Sequence, residues 1–166
     1  MIICGFEGTS VTAELREILR EVAPLGLILF ARNIESVEHV TELVRELKML
    51  RKDDPLLISI DQEGGRVQRV RKPATEWPAM RKLGAIDDVE LTHRVGLALG
   101  REVRAMNFDI DYTPVLDVDT NPKNPVIGDR SFGATAGAVI KHATALLKGL
   151  NAAGVGGCGK HFPGHG

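Results

Sequence analysis

The sequence predicts an α/β fold whose parallel sheet is the front portion of an eight-fold barrel. Short apolar runs alternate with amphipathic segments, and each run is too short for a helix and apolar on both faces, as a strand covered on both sides must be. The spacing stretches after the third and fourth runs, so the longest irregular segments, 61–87 and 113–134, both follow a strand. Barrel enzymes carry their active-site rims in such loops. No G-x-G-x-x-G follows the first run, where Gly5 and Gly8 flank Phe6 and Glu7, which argues against a doubly wound nucleotide binder.

The elements follow in order. Ile2 to Phe6 is the first strand, and Val11, Leu15, Ile18, Leu19 and Val22 share one face of a helix beginning near Thr12. Leu27 to Phe30 (LILF) leads to a helix that Ser36 caps, with Val37, Val40, Val44 and Leu47 on one face. Leu56 to Ile60 (LLISI) is the third strand. Asp87, followed three residues later by Glu90, resembles a capping box for a helix continued by Leu91, Val95, Leu99, Val103 and Met106. The fourth strand, Ile110 to Tyr112, runs into Thr113 and Pro114. Thr135 caps the next helix, whose Val139, Ala143, Leu146, Leu147 and Leu150 face inward until Gly154 ends it. The last strand lies around Val155 to Cys158.

This β-α-β-α-β-α-β-α-β order implies right-handed crossovers between parallel strands, as in a TIM-type (β/α)8 barrel. A closed barrel takes about 250 residues. The chain has 166, so residues 1–166 are read as one N-terminal barrel unit of about five strands, cut in the loop after the fifth. Its open edges and unfilled interior favour self-association.

With 43% hydrophobic and 26% charged side chains, the composition is that of a globular domain able to bury a core. Lys plus Arg number 21 against 22 Asp plus Glu, a net charge of -1. That balance supplies no basic field for nucleic acid and no polybasic face for a membrane, so a small neutral partner fits better. The opening MIICGFEG lacks the basic and apolar stretches of a secretory signal, and a cytoplasmic location is expected. Cys4 and Cys158 are expected to be buried core thiols, and His39, His93 and His142 surface or boundary residues.

Three stretches carry chemistry. DQEGGRVQR, Asp61 to Arg69, begins where LLISI ends. A carboxylate at a strand exit, two glycines that admit a ligand close to the backbone, and two arginines that fork onto oxygens suit a polyhydroxylated molecule. The alternative is scaffold, with Asp61 paired to Arg66 or Arg69. In TPVLDVDTNPKNPVIGDRSFG, two Asn-Pro steps stiffen a loop from which Asp117, Asp119, Asp129 and Arg130 are candidates to point inward. KHFPGHG, Lys160 to Gly166, places a Lys-His pair at a strand end and turns at once through Pro163 and Gly164. His161 and His165 are four apart, but Pro163 and Gly164 exclude the helix a zinc pair would need. No metal or cofactor is expected. A metal-dependent hydrolase using Asp61, His161 and His165 is the weakest alternative.

Together, in this order, DQEGGRVQR, TPVLDVDTNP with IGDRSFG, and KHFPGHG resemble the N-terminal domain of glycoside hydrolase family 3. The ending KHFPGHG resembles its bacterial β-N-acetylglucosaminidase (β-hexosaminidase) branch, and GLILFARNI matches the family's second-strand region. The resemblance implies a TIM-type barrel and retaining hydrolysis of terminal β-linked N-acetylglucosamine, in cell-wall recycling or from chitin oligosaccharides. It also implies that Asp61, Arg69, Arg130, Lys160 and His161 bind the sugar in the first subsite. The family's nucleophilic aspartate and its histidine–aspartate acid/base fall beyond these stretches, so no catalytic residue is expected among the 166 and little turnover from them alone. A family 3 β-glucosidase-like enzyme and a non-catalytic sugar-binding or scaffold module remain as alternatives.

Overall fold

The structure, a computed structural model, describes residues 2–166. In chain order its strands are β1 (Ile3–Cys4), β2 (Gly26–Leu29), β3 (Leu57–Ile60), β4 (Gln62–Gly64), β5 (Val67–Gln68), β6 (Ile110–Asp111) and β7 (Gly156–Gly157). The α-helices are α1 (Ala13–Val22), α2 (Val37–Met49), α3 (Met80–Ile86), α4 (Val89–Ala105) and α5 (Ala136–Ala152).

β1, β2, β3, β6 and β7 lie side by side in that order, each neighbouring pair parallel. A doubly wound sheet has a switch point from which successive strands go to opposite edges. Here every new strand joins the same edge, as the wall of a barrel must. The wall is open between β1 and β7. Both edge strands pair over two residues only, shorter than the apolar runs that encode them.

Local chemistry explains where the helices begin. The side chains of Thr12, Ser36 and Thr135 accept from the amides of Leu15, His39 and Ala138, as expected of N-caps. Gly154 ends α5 with φ +80, a conformation that costs glycine nothing. The inner faces of α1, α2 and α4 pack on the sheet around Leu27, Leu29, Ile58, Ile60 and Phe108. A second cluster, Met80, Leu83, Phe132, Val139, Ala143 and Leu146, joins α3 and α5 to the loop after β6.

Several expectations are corrected. α4 is capped by Asp88, whose carboxylate accepts from the Leu91 amide, while Asp87 ends α3 in a left-handed conformation. Two adjacent aspartates present the same pattern, and only the second has the extended backbone a cap requires. Ile18 and Val22 on the predicted face of α1 are exposed, since the sheet reaches only Leu15 and Leu19. Cys158 is exposed and Cys4 half-buried, both as free thiols, because β7 closes before Cys158. His142 is fully buried: its ring stacks on Phe132 and lies 2.8 Å from Thr92 Oγ1 and 3.0 Å from Asp87 Oδ1. The short α3 and the β4–β5 hairpin, both within 61–87, are elements the apolar pattern does not predict.

α4 and α5 cross at glycines. A Cβ on Gly149 would run into the His93 carbonyl and the Leu97 amide, and one on Gly96 into the Leu146 carbonyl. Gly149→Ala is therefore expected to lower stability by about 1–3 kcal/mol, as overpacking does. Gly137, also in α5, has nothing within 4 Å of an added methyl. Gly137→Ala should be neutral or stabilising, by up to about 1 kcal/mol. Thermal or denaturant midpoints of the two variants make the comparison.

Candidate functional site

The loops that follow β3, β6 and β7 meet at one end of the sheet. Asp61 lies between β3 and β4, and Glu63 on β4. Gly64 and Gly65, at φ +99 and +58, turn the chain back along β5 to Arg69, where a side chain at either glycine would be strained. The side chain of Gln62 locks this hairpin. Its Oε1 accepts from the amides of Arg69 (2.9 Å) and Val70 (3.1 Å), and its Nε2 donates to Val70 O (2.8 Å).

Arg66 clamps the loop after β6 by donating to the carbonyls of Pro125 (2.8 Å), Val126 (2.5 Å) and Ile127 (3.1 Å). Of the two arginines expected to reach a ligand, Arg66 thus serves the scaffold. Arg130 closes a 3-10 turn over Gly128–Arg130. Beyond β7, a parallel bridge between Val115 and Lys160 lays the last two loops side by side.

Asp61, Arg69, Arg130, Lys160 and His161 come together, joined by two carboxylates. Lys160 Nζ lies 2.6 Å from Asp61 Oδ1 and 2.5 Å from Glu63 Oε1. Arg69 Nη2 donates to Asp61 Oδ2 at 3.0 Å. Arg130 forks onto Glu63, Nε to Oε2 at 2.9 Å and Nη2 to Oε1 at 2.8 Å. The same Nη2 lies 3.3 Å from His161 Nε2, and Asp117 Oδ2 lies 2.5 Å from His161 Nδ1. A guanidinium can only donate, so His161 accepts at Nε2 and carries its proton on Nδ1, facing Asp117. Asp117 Oδ1 also takes the His165 amide at 2.6 Å, fixing the KHFPGHG turn.

These contacts set the carboxyls' acidities. Burial alone would raise Asp61, but the Lys160 ammonium and Arg69 guanidinium hold it below its ordinary value. Burial likewise opposes ionisation of Asp117, and the His161 ring with the His165 and His161 amides outweighs it, lowering this group as well. Arg69 Nε is buried and has no acceptor among the described residues. The cluster therefore offers alternating acceptors and donors on one surface, the pattern that vicinal hydroxyls require.

Of the other loop aspartates, Asp119 is held by Arg81 at 2.6 Å as scaffold, and Asp129 is half-exposed and pairs with Arg66 at 3.3 Å. Sequence reasoning passed over Glu63 and the buried Asp111, whose Oδ1 accepts from the Gln62 amide. The available signal was the lone acid in the apolar run I-D-Y. The rings of His161 and His165 meet edge-on with centroids 6.1 Å apart, and among the described residues no three His, Cys, Asp or Glu side chains are grouped to hold a metal ion.

A model of the glycosyl hydrolase family 3 N terminal domain matches residues 4–166. The Beta-hexosaminidase of Nitrosospira multiformis is 43% identical over 99% of this chain and 48% of its own length. That of Idiomarina loihiensis is 44% identical over 99% and 50%. Among solved structures, NagZ from Neisseria gonorrhoeae in complex with N-trifluoroacetyl-D-glucosamine superposes with a TM-score of 0.93 at 41% identity, over 99% of this chain and 50% of that one. A family 3 beta-N-acetylglucosaminidase from Paenibacillus sp. gives 0.92 at 40% identity, over 99% and 32%. The chain thus spans about half the length of the curated relatives it matches. With its sheet order, and a family match running from Cys4 to Gly166, the chain belongs to glycosyl hydrolase family 3, in that family's N-terminal domain.

Proposed function

We propose that the protein acts as a β-hexosaminidase on terminal β-linked N-acetylglucosamine, and that Asp61, Arg69, Arg130, Lys160 and His161 form the subsite for that sugar. Asp61 accepts from hydroxyls; Arg69, Arg130 and Lys160 donate; His161 keeps its ring in register through Asp117. The observation that carries the reading is the convergence of these residues, from three strand exits, on one ion-paired cluster. The names of the relatives support the substrate, as does the glucosamine derivative bound to the Neisseria gonorrhoeae NagZ. The five residues are assigned to binding rather than bond cleavage, because their charges are committed to one another. A cytoplasmic place in peptidoglycan recycling, or in use of chitin-type saccharides, fits this substrate.

Calorimetric titration of the intact protein with N-acetylglucosamine and with glucose tests the subsite. N-acetylglucosamine is expected to bind the more tightly. Arg69→Ala, which removes a charge-assisted donor, should weaken it roughly 10- to 100-fold. Preference for glucose would favour a β-glucosidase-like enzyme. Binding without turnover of a chromogenic N-acetylglucosaminide would favour a sugar-binding module, and no binding of either sugar would end the proposal.

A further inference from the structure

Two aspartates flanking Ile110 hold β3 at its two ends, and they differ in one respect. Asp109 accepts from the Ile58 amide through Oδ2 (2.9 Å), near the strand's start, while its Oδ1 meets Lys48 (2.7 Å) and Arg104 (3.4 Å). Asp111 accepts from the Gln62 amide through Oδ1 (2.9 Å), just past the strand's exit. It is fully buried, its Oδ2 has no hydrogen-bond partner, and among the described residues no cation lies within ion-pair distance of it.

The charges that face Asp111 are Asp61 and Glu63 on the segment after β3 and Lys160 from the β7 side. Lys160 is already shared between those two carboxylates. Cys158, also on the β7 side, gives Asp111 its backbone amide, to the main-chain carbonyl at 3.0 Å, while its side chain is exposed. Above, Asp61, Glu63 and Asp117 stand against Arg69, Arg130 and Lys160, and every one of these groups is engaged. A fourth anion beneath them would have no counter-ion of its own and would compete for Lys160. Burial pushes the Asp111 carboxyl well above the usual range; the Gln62 amide and Lys160 pull it down, and Asp61 and Glu63 push it further up.

We propose that Asp111 is an uncharged positioning residue beneath the sugar subsite, holding the Gln62 amide and thereby the angle at which Asp61 and Glu63 leave the sheet. The Gln62 side chain is fixed to the return strand of the hairpin. Its backbone is fixed by Asp111. The segment between the two carboxylates is thus held from both sides. A neutral acid does this without disturbing the charge balance above it.

The inference rests on the subsite reading given above, and the test separates the two. On the intact protein, carbon-13 carboxyl shifts are followed from about pH 4 to 8, a range that runs from the ordinary aspartate midpoint to above neutrality. N-acetylglucosamine affinity, Gln62 amide exchange and thermal midpoint are measured for the wild type, Asp111→Asn and Asp111→Leu. Asp111 is expected to remain protonated at neutral pH. Asp111→Asn, which keeps an oxygen acceptor and no charge, should bind within about twofold of the wild type with the same pH profile. Asp111→Leu leaves the Gln62 amide unpaired, and should bind about tenfold or more weakly, with faster Gln62 exchange.

An ionised Asp111 at neutral pH, or an Asp111→Asn variant weakened tenfold with an altered pH profile, would overturn the uncharged state. Sugar affinity and Gln62 exchange unchanged in Asp111→Leu would overturn the positioning role. Should that variant not fold, the carboxyl titration and Asp111→Asn still decide. A wild type that binds no N-acetylglucosamine, yet has a protonated Asp111 and a protected Gln62 amide, would sink the subsite and confine Asp111 to the strand exit.

Discussion

Lys160→Met is expected to destabilise the protein by about 1–3 kcal/mol, the cost of taking a shared ammonium from two largely buried carboxylates. The side chains of Lys160 and Asp61 are each 14% exposed, so water replaces the ammonium only in part. Asp61 would keep Arg69, and Glu63 would keep Arg130, so the fold should weaken rather than collapse.

The change should also move the acid limb of the stability curve. In the wild type the folded Asp61 carboxyl titrates below its unfolded value of about 3.9, so its contribution is full above that pH and is lost as pH falls through the folded value. Without Lys160 the folded value rises, and the loss begins at higher pH. Denaturant midpoints at a series of pH values from about 3 to 7 read this directly against the ordinary carboxylate range. In the proposed subsite the same variant removes a charged donor, and N-acetylglucosamine affinity should fall roughly 10- to 100-fold. An unchanged midpoint together with an unchanged acid limb would mean that the ammonium is solvated and that Asp61 relies on Arg69 alone.

Strand order, the caps of α1, α2 and α5, and the rim of charged loops follow from patterns of neighbouring residues, and these were legible; the cap of α4 was misplaced by one residue. LLISI followed by Asp61, or Lys160 and His161 after VGGCG, announces a strand exit with chemistry on it. What was not legible depends on burial, which no local pattern carries. Glu63, between Gln62 and two glycines, reads as part of a solvated turn, yet its side chain is 2% exposed because the hairpin folds it under Arg130 and Lys160. His142 sits where a helix surface would be expected, and Phe132, from a loop ten residues earlier in the chain, covers it. Asp111 and Asp109 look alike in the sequence. Asp109 meets Lys48 and Arg104, from elements distant in the chain or across a turn, and Asp111 meets no cation among the described residues.

The overlooked Glu63 is expected to be the most sensitive carboxylate of the cluster. Glu63→Gln keeps the shape but removes the charge shared by Arg130 and Lys160, and turns an amide NH2 toward one of them. Arg130, whose side chain is 10% exposed, draws its raised basicity first from the Glu63 hydrogen bonds. After the change its partners are the one amide oxygen that remains, the His161 ring at 3.3 Å and the Val126 carbonyl at 3.1 Å, none of them an anion. A loss of about 3–5 kcal/mol is expected, because a buried cation loses the carboxylate it is paired with and keeps only the more distant charges of Asp61 and Asp117. The loss should extend to sugar binding, since any movement of the guanidinium displaces His161. A double-mutant cycle with Arg130→Met isolates the pair. Removing both partners leaves no bare charge, so the double variant should be more stable than the two single losses predict, with an interaction energy of about 1–3 kcal/mol. Simple additivity would mean that Glu63 acts through Lys160 alone. The fork from Arg130 would then orient the loop after β6 without stabilising it.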